Sequence, residues 1–164
     1  MATLAQRPQT LLLPSLAALV LPALLWGGAL VGEHGFGLAP CEMCYWQRWP
    51  HQAAIVLAMF SVGFAGRPAS RIFLWLAVAA IALSGVIGVY HAGVERDLWE
   101  GLSRCATMTP GGFDMMATDI APIVRCDEAQ WRFLGLSLAE YNAIFSLGGA
   151  ALIVWAIGRV EARR

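Results

Sequence analysis

The sequence contains no lysine; all 11 of its basic residues are arginine. Charge of either sign is scarce, at 13% of residues, where ordinary soluble domains carry about 25%. Eleven acidic residues balance the arginines to a formal net charge of zero. No basic patch or stripe is present, which excludes a nucleic-acid footprint. Gly/Ser linkers, low-complexity runs and repeats are missing too, so the chain reads as one domain, residues 1–164. What fills the sequence instead is apolar material, 59% of all residues. That leaves too little polar surface for a soluble helical protein of this size and points to a membrane.

A bilayer core of about 30 Å takes roughly 20 apolar residues as a helix. Four stretches without Asp, Glu, Lys or Arg meet or approach this length: 11–31, 49–66, 72–94 and 141–158. Small residues recur inside them, among them Gly27, Gly28, Gly85, Gly88, Gly148, Gly149 and Ala150. Such residues let helices approach where lipid gives no hydrophobic drive for association. Pro14 and Pro22 are tolerable in a membrane helix. The first stretch is longer than a signal-peptide core and has no good small-residue cleavage site after it, so it reads as a retained span. The expected fold is all-α: an integral membrane four-helix bundle.

The arginines set the orientation. Arg7, the pair Arg67 and Arg71, and the group Arg159, Arg163 and Arg164 fall in the N-terminal tail, the middle turn and the C-terminal tail. With four spans these segments share one side, and the positive-inside rule makes it cytoplasmic. Of the acidic residues only Glu161 then lies inside. Two loops, about 32–48 and 95–140, face outward, which in a bacterium means the periplasm beyond the inner membrane.

All four cysteines, Cys41, Cys44, Cys105 and Cys126, fall in those two loops. Disulfides form and persist in that compartment. Four cysteines allow three connectivities, and proximity favours Cys41–Cys44 and Cys105–Cys126. The first pair is a Cys-x-x-Cys, Cys41-Glu42-Met43-Cys44. It closes too small a loop to add much stability, so redox chemistry or metal binding is its expected use. A helix beginning near Tyr45 would put Cys44 at its positive end, where a thiolate is favoured. Arg48 follows one turn later. Pro50 suits only a first helical turn, which argues for a start closer to Trp49. The second pair encloses about 20 residues, and a bridge there stabilises by roughly 3 kcal/mol in the loop-entropy account; alone, it is equally well a plain staple. Within it, Phe113, Met116, Ile120, Ile123 and Val124 form an apolar stripe that predicts a short interfacial helix. Zinc ligation by the cysteines is the weaker alternative, because structural zinc sites pair two short-spaced motifs. No metal is expected.

His91 closes the third apolar stretch, about 30 Å of helix beyond Arg71. That is the depth of Cys44 and Arg48. A histidine there is commonly just an interfacial polar group. Beside a thiol pair, however, Arg48 and His91 are suitable donors to the carbonyl oxygens of a quinone. Trp46, Trp49, Tyr90 and Trp99 form an aromatic belt or wall a flat cofactor. His34 and His51 are expected to be structural.

Several segments together resemble the bacterial disulfide bond formation protein B (DsbB) family. They are Cys41-Glu42-Met43-Cys44-Tyr45-Trp46-Gln47-Arg48-Trp49-Pro50, Tyr90-His91-Ala92-Gly93-Val94-Glu95, Cys105 with Cys126, Trp131-Arg132-Phe133-Leu134-Gly135-Leu136-Ser137, and Tyr141-Asn142. The resemblance runs in order through nearly the whole chain. It implies a four-helix membrane bundle that reoxidises a periplasmic thioredoxin-like disulfide donor (DsbA-like) and passes the electrons to ubiquinone or menaquinone. It further implies that Cys41 and Cys44 are the quinone-coupled pair and that Cys105 and Cys126 meet the partner. Arg48 would then support the quinone site, with His91 near it. Two rivals stand beside it. A four-span protein with two inert disulfides leaves the Cys-x-x-Cys and its arginine without a purpose. A relative of vitamin K epoxide reductase would carry the Cys-x-x-Cys in a late span, not before the second.

Overall fold

The computed structural model describes residues 11–101 and 124–163. Four helices run through them: α1 Leu12–Phe36, α2 Glu42–Gly63, α3 Pro68–Val94 and, after a two-strand hairpin, α4 Leu138–Glu161. The hairpin strands are β1 Arg132–Phe133 and β2 Leu136–Ser137. Helix α2 packs between α1 and α3, and α4 lies against α3 and closes on α1. The all-helical bundle expected from the sequence is present, and α1, α3 and α4 are long and apolar enough to cross a membrane. Helix α2 is not among these three, because Glu42, Gln47, Arg48, His51 and Gln52 crowd its first half. The stripe Phe113–Ile123 and Cys105 lie outside the described residues.

The helix boundaries follow local chemistry. Gly37, with φ of 69°, ends α1 in the left-handed conformation and its N–H returns to the Gly32 carbonyl. Pro68 at the first position starts α3 where its missing N–H costs nothing. Ser137 and Glu140 form a capping box at the start of α4. The start of α2 differs from expectation. It begins at Glu42, ahead of both Tyr45 and Trp49, with Pro50 inside the helix. Cys41 makes this possible by serving as N-cap, its sulfur accepting the Cys44 N–H at 3.2 Å.

The core is built from small residues. Ala18, Ala54, Ala58, Ala77 and Ala150 are buried together with Leu74, Val78, Ile81, Ile153 and Ile157, while Leu24, Val86, Leu152 and Trp155 point outward. This is the inverse of a soluble bundle and suits helices surrounded by lipid. Helices α3 and α4 touch most closely at two glycines. A Cβ on Gly85 would stand 2.7 Å from Leu147 Cγ, and one on Gly88 would stand 3.0 Å from the Ala139 carbonyl oxygen. At the end remote from the cysteines, Ser61 and Ser70 exchange hydroxyl-to-carbonyl bonds of 2.9 and 2.8 Å. There, too, Arg71 meets Glu161 at 3.0 Å.

The hairpin was not foreseen. It pairs Arg132 with Ser137 and Phe133 with Leu136, and its turn residues Leu134 and Gly135 both have positive φ, 50° and 81°. That is the mirror-image turn that matches strand twist, with leucine at a position usually filled by Asn or Gly.

Gly88 faces backbone rather than a flexible side chain. Gly88→Leu is therefore expected to destabilise the bundle by about 1–3 kcal/mol through overpacking. Gly27→Leu, where no atom lies within 4 Å of the added Cβ, should leave it nearly unchanged. Thermal unfolding of both variants in the same detergent checks this.

Candidate functional site

The start of α2 holds the Cys-x-x-Cys. Cys41 and Cys44 are free cysteines with their sulfurs 2.7 Å apart. Cys41 is buried and Cys44 is half-buried. Cys126 is disulfide-bonded and joins Cys41, Met43 and Val94 in one buried cluster, with Cys44 and Val124 at its edge. Cysteines from both sequence pairs thus share one packed unit.

His91 caps this unit from α3. Its Nε2 lies 3.6 Å from Cys41 Sγ, 3.2 Å from the Cys126 carbonyl oxygen and 3.8 Å from Glu95 Oε1. On its other side, Nδ1 lies 2.8 Å from Gln47 Nε2. A second histidine is close by: His51 Nε2 meets Asn142 Oδ1 at 2.8 Å and Ser84 Oγ at 2.9 Å. Asn142 in turn donates to Gln47 Oε1 at 2.8 Å. His51, expected to be structural, therefore belongs to the polar chain beneath the cysteines. Gln47 and Asn142 stand in segments that carry the family resemblance but had no role assigned to them, and Ser84 was not singled out. For Asn142 and Ser84 a further signal was their polarity within apolar stretches.

Arg48 sits one turn past Cys44, as expected, but its polar partners are on α1. It forms an ion pair with Glu33, donates to the Ala29 carbonyl at 3.4 Å, and lies over the Tyr45 ring, 5.4 Å from its centroid. Burial pushes the Glu95 carboxyl above its ordinary range.

The two thiols lie ahead of the apolar part of α2 and titrate as a pair. The Cys41 hydrogen bond holds the Cys44 thiol below its ordinary value; the backbone and the positive charge of Arg48 add to this, against desolvation. The same sulfur–sulfur bond, with burial, pushes Cys41 well up. One thiolate stabilised by its neighbour's proton is the arrangement a nucleophilic dithiol needs.

Cys44, Arg48, His51, His91 and Glu95 line one cavity of about 320 Å³. Its walls include Leu24, Leu25, Trp26, Trp131, Tyr141 and Phe145. These replace the expected aromatic wall: Trp46, Trp49 and Tyr90 are not among the lining residues, and Trp99 instead stacks on Tyr90 with centroids 6.0 Å apart. Two buried polar atoms of cavity-lining residues, His51 Nδ1 and Glu95 Oε2, find no protein partner. An apolar chamber with a cation and a thiol at its edge fits a flat ring with acceptor oxygens.

Membrane-length helices around a buried, hydrogen-bonded dithiol define a class, that of membrane thiol–disulfide proteins. The family model "Disulfide bond formation protein DsbB" matches residues 12–156, and the chain belongs to this family. It is 28% identical over 158 residues to disulfide bond formation protein B of Chromohalobacter salexigens, covering 87% of this chain and 86% of that one. With the protein of the same name from Xanthomonas oryzae pv. oryzae it shares 28% over 137 residues, 78% of each chain. An uncharacterized protein of Rickettsia prowazekii is 26% identical over 125 residues, 73% of this chain and 72% of that one. No solved structure matches the chain.

The reduced protein should form its first thiolate below the ordinary cysteine range and its second well above it. Since a lowered pKa means thiolate persists to lower pH, removing the largest cause must move the onset upward. Cys41→Ala is expected to raise the titration of Cys44, and Arg48→Ala to raise it by less. Ultraviolet thiolate absorbance against pH reads both.

Proposed function

We propose that this chain is a protein dithiol:quinone oxidoreductase of the bacterial inner membrane. It reoxidises a periplasmic thioredoxin-like, DsbA-like dithiol protein and so sustains disulfide formation in secreted proteins. The observation that carries this reading is the half-buried Cys44 on the wall of an apolar cavity, with Arg48 beside it and Cys41 and Cys126 packed behind it. From Trp49 onward α2 acts as the fourth span, and its polar first turns, sheltered by α1 and α3, lie on the periplasmic side. Both termini are cytoplasmic and both cysteine loops periplasmic.

The exchange balances as follows. A thiolate of the reduced partner attacks Cys105, forming a mixed disulfide and expelling Cys126 as a thiolate. Cys126 attacks Cys41, and Cys44 leaves as a thiolate stabilised by Arg48. The partner's second thiolate then frees Cys105 and closes the partner's own disulfide. Cys105 attacks Cys126, restoring their bridge and releasing Cys41. Two electrons have passed from the partner to the Cys41–Cys44 pair. Arg48 is the donor that would hold a carbonyl oxygen of ubiquinone or menaquinone in the cavity, with His91 and His51 on its wall. When bound, the quinone supplies the two-electron sink that the protein itself lacks. The apolar walls keep water from the thiolate. A rival with two inert staples leaves Arg48 and the apolar cavity beside Cys44 without a purpose.

Purified protein given a reduced periplasmic thioredoxin-like dithiol and a soluble ubiquinone analogue should bleach the quinone absorbance. Cys41→Ala and Cys44→Ser should abolish this, and Arg48→Ala should weaken quinone use while both disulfides still form. Full turnover by Cys44→Ser overturns the scheme.

A further inference from the structure

Gln47 and Asn142 are placed to do more than fill polar space. Gln47 Nε2 donates at 3.1 Å to the Met43 carbonyl, which can only accept, and Asn142 Nδ2 donates at 3.1 Å to the Ser84 carbonyl. These two backbone oxygens fix the sense of both amides. The oxygen of Gln47 must face Asn142, and its nitrogen must face His91 Nδ1 at 2.8 Å. Facing a donor, Nδ1 carries no proton, so the single proton of the neutral ring sits on Nε2. At the far end, Asn142 Oδ1 accepts the Ser146 hydroxyl at 2.9 Å and His51 Nε2 at 2.8 Å. The chain therefore runs one way: His51 to Asn142 to Gln47 to His91.

We propose that Gln47, oriented by Asn142, is a positioning residue that holds His91 in its Nε2–H form. The one ring proton then ties the Cys126 carbonyl to the Cys41 sulfur, at 3.2 and 3.6 Å. It keeps the two cysteine pairs in register for exchange. A ring protonated on Nδ1 would present only a lone pair to the Cys126 carbonyl, and the two acceptors would repel. Glu95 Oε1, 3.8 Å from Nε2, stands beyond hydrogen-bond reach and does not replace this tie. Gln47 is 7% exposed and His91 3%, so water does not take over the role of the amide. The tautomer rests on hydrogen-bond geometry alone; its effect on cysteine exchange rests on the function proposed above.

The test is ¹⁵N NMR of histidine-labelled, reduced full-length protein in nanodiscs, with the three histidines assigned by single His→Gln variants. The wild type should show His91 with a bare Nδ1 and a protonated Nε2. Gln47→Glu, whose carboxylate only accepts, should put a proton on Nδ1. Gln47→Leu, which neither donates nor accepts, should leave a mixture of tautomers. In both variants the pH profile of the Cys41–Cys44 pair should shift and partner-driven quinone reduction should slow. A wild-type His91 protonated on Nδ1 overturns the proposal, as does a pure Nε2–H ring with an unchanged thiol profile in both variants. Should the wild type reduce no quinone, the functional reading fails while the nitrogen signals still decide the role of Gln47.

Discussion

The arrangement of the site depends on one imidazole. His91 is the group that touches both a sulfur of the Cys-x-x-Cys and the backbone of Cys126. A disulfide relay needs its two pairs close enough to exchange and yet separately held. Covalent bonds cannot do the holding, because they are the cargo. A shared N–H donor does it at the strength of ordinary hydrogen bonds, about 1 kcal/mol each. That is firm enough to favour one arrangement and weak enough to release as sulfurs change partners.

Burying so many polar groups between membrane helices is costly unless each is paired. The structure meets most of this with neutral amides and hydroxyls inside and ion pairs at the margin, leaving His51 Nδ1 and Glu95 Oε2 unpaired by protein. Arg48 with Glu33 and Arg96 with Glu140 stand at the edge, while Gln47, Asn142, Ser84 and Ser146 fill the interior. An amide carries direction without net charge, so it can set a tautomer without the penalty of desolvating an ion.

Much of this was legible in the sequence, for identifiable reasons. Four apolar runs announce four helices because bilayer thickness fixes their length. Cys41 and Cys44 stand out because their spacing is useless as a staple. Cys105 lies outside the described residues, so its part in the relay rests on the family pattern. The start of α2 was misplaced because a cysteine N-cap is not a usual helix signal and Pro50 argued for a later one. The hairpin escaped notice because Leu134-Gly135 lacks the Asn or Asp that marks its turn type. The meeting of Gln47 and Asn142 was invisible for a deeper reason. They are 95 residues apart in sequence, and nothing local in either segment says that they meet.

What brings them together is a glycine. Gly88 lies on α3 where α4 passes; a Cβ there would stand 3.1 Å from Asn142 Nδ2 and 3.0 Å from the Ala139 carbonyl oxygen. The missing side chain lets α4 come near enough for Asn142 to reach both the Ser84 carbonyl and Gln47, where a Cβ would make α4 give by a few tenths of an ångström. The close helix contact usually explained by lipid-phase packing here also aligns an amide, the amide orients Gln47, and Gln47 places the proton of His91. Packing and chemistry are thus coupled through a side chain that is absent: whatever pushes α3 and α4 apart at Gly88 acts on the cysteines through the imidazole between them.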